Sequence, residues 1–374
     1  MAASDTTHTN LLGLPRPELT AFVAQLGSKP FRARQLMNWM YKRGVNSFAE
    51  MTDLAKDFRA RLGAVAEVRP PQIVSVQNSA DGTTKWLLRA DATQAFEMVF
   101  IPEADRGTLC ISSQVGCALD CSFCSTGQEG FNRNLTTAEI VGQVWLAKRE
   151  LGEGQQSGEP GERIVTNVVL MGMGEPLANF RAVVPALRIC VDDFGFDLSR
   201  RRVTLSTSGL APQIRKLAQE VNVALAVSLH APDDALRNEL VPINRKHPIA
   251  ELLDACWHYI DEQNGRSVTF EYVMLAGIND SREQARALAA LLKGHPAKVN
   301  LIPFNPFPGT RYRRSAPETI ESFRDELLGR GVMATIRRTR GDDIDAACGQ
   351  LAGRVIDRTT ARLGTKQMAL AVHS

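Results

Sequence analysis

From Thr108 to Ile336 the chain alternates between short apolar runs and amphipathic stretches, and this alternation narrows the folds open to it. Strand-like runs fall at 108–112, 166–171, 202–206, 223–229, 268–275, 298–303 and 332–336. Helix-like stretches fit between them at 136–151, 179–191, 212–220, 249–263, 282–292 and 317–330, with Thr136 and Glu139 spaced as a capping box for the first. Apolar strands separated by helices imply a parallel sheet with helices packed against it. Six or seven such units fall short of a closed eight-fold barrel, so the expected class is α/β, an incomplete (β/α)6-type barrel.

The chain ahead of this alternation is different. Residues 1–12 are polar and expected to be loose. Between Pro17 and Leu62, apolar residues such as Leu19, Phe22, Val23 and Leu26 repeat at helical spacing, and Ser47 with Glu50 reads as another capping box. Lys29, Arg32, Arg34, Lys42, Arg43, Lys56, Arg59 and Arg61 give this small helical domain a basic character that suits either a solvated face or an RNA-touching one. Residues 70–90 read as a hairpin turning at Ala80-Asp81-Gly82, and a strand over 95–101 follows. Glu97 is the acid within that strand; it points either to solvent or into a pocket. The expected division is 1–69 helical accessory domain, 70–104 β-hairpin extension, 105–345 partial barrel and 346–374 C-terminal segment, with an exposed, mobile loop over 152–162.

No apolar run approaches the roughly 20 residues of a membrane span, and the first residues lack the basic-then-apolar pattern of a secretory signal. Seven cysteines, an odd number with four of them inside 110–124, do not suit a disulfide scaffold and point to a reducing compartment, the cytoplasm. The formal charge of +3 permits a nucleic-acid partner without requiring one.

Those four cysteines sit where the first strand ends. Cys117, Cys121 and Cys124 are separated by three residues and then two, with Cys110 upstream. Closely spaced thiolates favour soft metals or iron–sulfur clusters. Structural zinc wants a fourth ligand in a second paired half, and Cys190, Cys256 and Cys348 are scattered singly. Three thiolates therefore indicate a cluster with one iron left open. Cys190 and Cys256 lie in apolar helical stretches and read as buried small hydrophobes. Other strands end in Gly172-Met173-Gly174-Glu175-Pro176, Ser206-Thr207-Ser208-Gly209, Ser228-Leu229-His230 and Asn305. At the carboxyl ends of a barrel's strands, such loops bring polar groups and close backbone approach to one place.

These motifs resemble the radical S-adenosylmethionine (SAM) enzymes. Over nearly the whole chain, SSQVGCALDCSFCSTGQEGFNRNLT, VLMGMGEPLANF, STSGL, AVSLHA, NPFPG and RRTRGDDIDAACGQL resemble the dual-specificity branch that methylates adenosine C2 in 23S rRNA and in tRNA. The resemblance implies that Cys117, Cys121 and Cys124 hold a [4Fe–4S] cluster whose open iron chelates SAM. It places Gly174, Glu175, Ser206, Ser228, Leu229, His230 and Asn305 around SAM, and makes Glu97 the general base. It also makes Cys348 the methyl carrier and Cys110 its resolving partner in a transient disulfide. In the implied reaction one SAM methylates Cys348, and a radical from a second activates that methyl for addition to C2. Cys110 then releases the product, and an electron donor such as flavodoxin or ferredoxin supplies reducing equivalents.

A disulfide needs Cα atoms within about 7 Å, so the chain end must fold back over the barrel mouth. Arg337, Arg338 and Arg340 then fall either near phosphates or on a solvated surface. The rival functions are the sibling adenosine C8 methyltransferase of 23S rRNA, a radical SAM enzyme with a small-molecule substrate, and an iron–sulfur protein that only transfers electrons or binds RNA.

Overall fold

A computed structural model describes residues 8–153, 163–263 and 267–358. Most of the loop expected over 152–162, residues 1–7 and residues 359–374 lie outside that set. One ten-stranded sheet runs through the molecule. Its strands are β1 (Gln72–Asn78), β2 (Thr84–Arg89), β3 (Ala95–Pro102), β4 (Gly107–Cys110), β5 (Asn167–Leu170), β6 (Val203–Thr207), β7 (Ala224–Ser228), β8 (Val268–Met274), β9 (Ala297–Pro303) and β10 (Met333–Ile336). They lie side by side in chain order. β4 to β10 are mutually parallel, whereas β1 to β4 pair antiparallel, so the hairpin and the strand after it extend the sheet. The parallel strands carry an α-helix in each crossover: Thr137–Glu150, Phe180–Val191, Ala211–Glu220, Ile249–Glu262, Arg282–Leu292 and Pro317–Gly329. The sheet ends at β10 and β1 without closing, giving the incomplete barrel.

Local chemistry explains why these elements start and pack where they do. Thr136 Oγ1 accepts from the Glu139 N–H (3.2 Å) and the Glu139 carboxylate accepts from the Thr136 N–H (2.8 Å), which satisfies two otherwise orphaned donors. Along β8, Phe270 and Tyr272 turn outward onto the helices, their rings 5.8 Å from Trp257 and 5.2 Å from Phe323. The residue between them, Glu271, must then face inward.

Two sequence expectations fail in the N-terminal part. Residues 9–12 are not loose: Thr9–Asn10 pairs in parallel with Ala66–Glu67, and Leu11 and Leu12 are fully buried. Asn10 closes this join, its side chain bonding the Arg69 carbonyl (2.7 Å) and N–H (3.2 Å). Ser47 makes no side-chain cap; only a 3-10 turn, Phe48–Glu50, follows it, and the next α-helix is Lys56–Val65. The intervening chain is held in a bend because the Trp39 indole N–H donates to Asp53 (2.5 Å) and Met51 and Leu54 are buried. The domain rests on the first barrel helix through the Trp145 indole, which donates to the Met40 carbonyl at 2.8 Å. Part of the basic set is committed internally: Arg32, Arg59 and Arg61 donate to backbone carbonyls, and Lys42 pairs with Asp197 at 3.3 Å.

Candidate active site

The loop carrying Cys117, Cys121 and Cys124 is shaped by contacts that its own sequence does not announce. Gln143, fully buried on the first barrel helix, clasps Ser112 by accepting from its N–H (2.8 Å) and donating to its carbonyl (2.9 Å). Ser112 in turn ties β3 to the Gly172 loop, donating to the Glu97 carbonyl and accepting from the Met173 N–H. A two-stranded ribbon, Gln114–Gly116 against Phe131–Asn134, pinches the base of the cysteine loop. Gly116 sits at φ +77°, and a Cβ there would lie 2.0 Å from the Gly130 carbonyl, so no other residue fits without displacing the ribbon.

The three thiols open onto one cavity at the carboxyl ends of the strands. Gly174, Glu175, Ser206, Ser228 and His230 line it with them. Glu175 is buried, its two carboxylate oxygens taking the N–H groups of Leu177 (2.9 Å) and Ser208 (2.8 Å), and burial pushes its pKa up to about 7. Gly174 lets the chain pass with φ +98° against Gln114, whose Cβ would stand 2.5 Å from an added Cβ. His230 is held in a left-handed conformation, φ 60°, with its ring edge-on to Phe123 at 4.6 Å. Burial lowers its pKa to about 3, so the ring is neutral. Because Nδ1 accepts from the Val273 N–H (3.0 Å), the remaining proton sits on Nε2. Leu229 does not line the cavity; its backbone bridges the Glu271 carbonyl and Arg237. Asn305 lines an adjoining cavity and donates to the Cys348 carbonyl at 3.3 Å.

Cys348 lines both cavities. A C-terminal strap, residues 346–358, folds back over the strand ends and brings it there. The Ser125 N–H donates to the Gly349 carbonyl (2.8 Å), Thr126 Oγ1 donates to the Leu351 carbonyl (2.6 Å), and Ala95 exchanges both backbone bonds with Arg354. Cys110 is buried at the end of β4, close enough for the Cys348 sulfur to add to the burial that raises its pKa to about 12. Both are free thiols. Glu97 is buried rather than solvent-facing: its carboxylate accepts from the Ala352 N–H of the strap (3.0 Å) and pairs with Lys85 (3.3 Å). Burial raises its pKa against the opposing pull of Lys85. Arg337 lines both cavities beside Cys348, Arg338 lines the second, and Arg340 faces Asp81 at 3.8 Å.

Arg237 is a central residue that sequence reading missed. It is completely buried, and its guanidinium donates to the carbonyls of Leu229 (3.0 Å), Ser208 (2.7 Å) and Ser228 (3.0 Å) and to Asn244 Oδ1 (2.6 Å). It thus ties the loops after β6 and β7 together. The only signal was its place in an exposed-looking DALRNEL stretch, which forms the short helix Asp234–Leu240. Arg237→Leu strands three carbonyls and is expected to cost roughly 3 kcal/mol. A fall in the urea midpoint checks this; an unchanged midpoint would contradict it.

The donor set fits an iron–sulfur cluster. Burial, together with the nearness of Cys117 and Cys124, raises the Cys121 pKa, and burial raises that of Cys124, so a bound cationic group is what would offset the cost of holding them as thiolates. The three thiols line one and the same cavity, where each would hold a separate iron of a cluster. Residues 9–68 match the ribosomal RNA large subunit methyltransferase N-terminal domain, and residues 111–289 match the radical SAM superfamily. A radical SAM methyltransferase from Sphaerobacter thermophilus is 46% identical, with a TM-score of 0.84 over 92% of this chain and 99% of that one. A domain of pyruvate-formate lyase-activating enzyme from Bacteroides vulgatus is 19% identical (TM-score 0.33, covering 46% of this chain and 99% of that one). A spore photoproduct lyase mutant with bound AdoMet is 13% identical (TM-score 0.42, covering 86% and 93%); at these scores neither bears on the site. The cofactors are those of the superfamily, one [4Fe–4S] cluster and SAM. With an rRNA-methyltransferase N-terminal domain joined to a radical SAM domain, and near-complete likeness to a methyltransferase, the chain belongs to the radical SAM RNA methyltransferases.

Proposed function

We propose that this enzyme methylates C2 of an adenosine in 23S rRNA and of the adenosine 3′ to the anticodon in a subset of tRNAs. The observation that carries this is the strap, which presents Cys348 to the same cavity as Cys117, Cys121 and Cys124 with Cys110 at hand. Those three cysteines would hold the cluster, and Gly174, Glu175, Ser206, Ser228 and His230 would surround SAM, with the Leu229 backbone bracing their loop from behind and Asn305 reaching in from the adjoining cavity. Bound there, cluster and SAM supply a methyl group and the one-electron chemistry that removes a hydrogen from it.

The chain's own residues do the rest. C2 lies between two ring nitrogens and is not nucleophilic, so a methyl delivered as an electrophile would not react there. Cys348 Sγ takes the methyl as a thioether, and its activated carbon bonds to C2. Glu97, with a carboxyl raised by burial, accepts the C2 proton as the adduct radical gives back the one electron that was supplied to generate it, restoring a closed-shell adenine ring. The Cys110 thiolate attacks Cys348 Sγ; the S–C bond breaks, the S–S bond forms, and the departing carbon takes up a proton to become the product methyl. A two-electron reductant restores both thiols, and a flavodoxin- or ferredoxin-type donor feeds the cluster.

Residues 1–69 serve as the RNA-binding accessory domain, through the basic groups that internal bonds leave available. The deciding experiment is anaerobic reconstitution, then reaction of 23S rRNA fragments and tRNA with SAM and reductant. Mass spectrometry of the nucleosides is expected to show 2-methyladenosine from both RNAs; methyl at C8, or on neither RNA, would overturn the reading.

A further inference from the structure

A row of polar side chains crosses the barrel interior at one level. Strand register sets Ser228 of β7 beside Glu271 of β8, Glu271 beside Asn300 of β9, and Asn300 beside Thr335 of β10. Barrel interiors are ordinarily filled by apolar layers, so the neighbouring polar positions Ser228, Glu271 and Asn300, continued by the exposed Thr335 on the edge strand, call for a ligand. Glu271 is the charged member, only 5% exposed, and it lines both the cysteine-ringed cavity and the adjoining one behind Cys348. Its Oε2 accepts from Asn300 Nδ2 at 2.7 Å, while Oε1 accepts no hydrogen bond from the described residues. Asn300 is itself oriented, because its Oδ1 takes the Thr335 hydroxyl at 3.3 Å and its amide N–H therefore points at Glu271. The row leaves one oxygen of this cavity-lining carboxylate without a hydrogen bond from the described residues, with the positive charge of Arg337, which lines the same cavity, close enough to act on it.

We propose that Glu271 recognises the exocyclic 6-amino group of the substrate adenine, with Asn300 and Thr335 fixing its hydrogen-bond polarity. This rests on the adenosine-methylation reading above. A buried acceptor with a free oxygen matches an amino N–H donor and rejects a 6-oxo group, whose lone pairs would face it. Adenine also occurs in SAM. The substrate base is the better match, because Glu271 borders the cavity behind Cys348 as well as the one shared with the three cysteines.

The polarity of the row makes the test directional. In Glu271→Gln the amide oxygen must face Asn300 Nδ2, which turns the amide N–H₂ toward the ligand. The variant should then disfavour adenosine and accept inosine. Full-length enzyme with its cluster reconstituted is given a synthetic RNA hairpin carrying adenosine, inosine or purine ribonucleoside, which lacks the amino group, at the target position. Wild type is expected to prefer adenosine over both by roughly 10³-fold or more in kcat/KM. Glu271→Gln should lower the adenosine-to-inosine ratio by at least about 100-fold at wild-type iron content. An unchanged ratio, or an equal loss on both RNAs, overturns the proposal. So does wild type methylating the purine RNA as well as adenosine RNA, a comparison that needs no variant to fold. If RNA-free SAM cleavage falls in the variant while RNA selectivity holds, the carboxylate reads SAM and the proposal fails. Wild type failing on adenosine RNA sinks the proposed function as well, whereas success there with unaltered selectivity sinks this inference alone.

Discussion

Cys348→Ala is expected to retain wild-type iron and sulfide while methylating RNA at background, a loss of roughly 10⁶-fold, the scale on which removal of a covalent nucleophile acts. The structure separates the two properties. The strap is fastened by the Gly349, Leu351 and Arg354 backbones, none of which involves the Cys348 thiol. Alanine is therefore expected to leave the strap in place and to remove only the thiol proposed to accept the methyl. Iron analysis and mass spectrometry of the RNA on one preparation test both halves; methylation at more than a few per cent of wild type would end the carrier role of Cys348.

Cys110→Ala should produce the opposite signature, accumulation rather than silence. On the proposed mechanism methyl acceptance and addition to C2 need Cys348 alone, so the variant is expected to proceed to the covalent adduct and stop for want of a resolving thiolate. A denaturing gel should show enzyme shifted by bound RNA, sensitive to ribonuclease, with turnover limited to at most one event per chain. An unshifted protein that still turns over would remove Cys110 from the mechanism. Physical chemistry suggests how the step is timed. Burial and the neighbouring Cys348 sulfur hold the Cys110 thiol at about 12. On the proposed mechanism the second of these causes is gone once Cys348 carries the methyl as a thioether, which would favour ionisation of Cys110 at the step that resolves the adduct.

Much of the barrel was legible because its signals are local. The seven parallel strands and their crossover helices follow from apolar runs and amphipathic periodicity, and the Thr136–Glu139 cap forms as its spacing implies. Failures arose where tertiary contacts outweigh local pattern. The polar look of residues 8–12 hid a strand that buries Leu11 and Leu12, because the partner, Ala66–Glu67, lies far along the chain. Ser47 and Glu50 have cap spacing, yet the Trp39–Asp53 bond governs the local path. In the site, the cysteine spacing and terminal loops stood out, and the structure gathers most of those residues around one cavity. Arg237, Gln143 and Glu271 did not stand out. An arginine that donates to three carbonyls from two loops, or a glutamate aligned with an asparagine on the next strand, is defined by register and burial, which single-sequence periodicity does not carry.

The strap has a consequence for how the enzyme fails. The segment that delivers Cys348 is anchored to Ser125 and Thr126, directly after the last cysteine of the loop. Whatever unseats that loop also unseats Cys348, the proposed methyl carrier. An enzyme stripped of iron by air is thus expected to lose methyl uptake on Cys348 together with radical chemistry. Damage then yields an idle protein that consumes no methyl donor, rather than one stalled with a methyl group it cannot pass on.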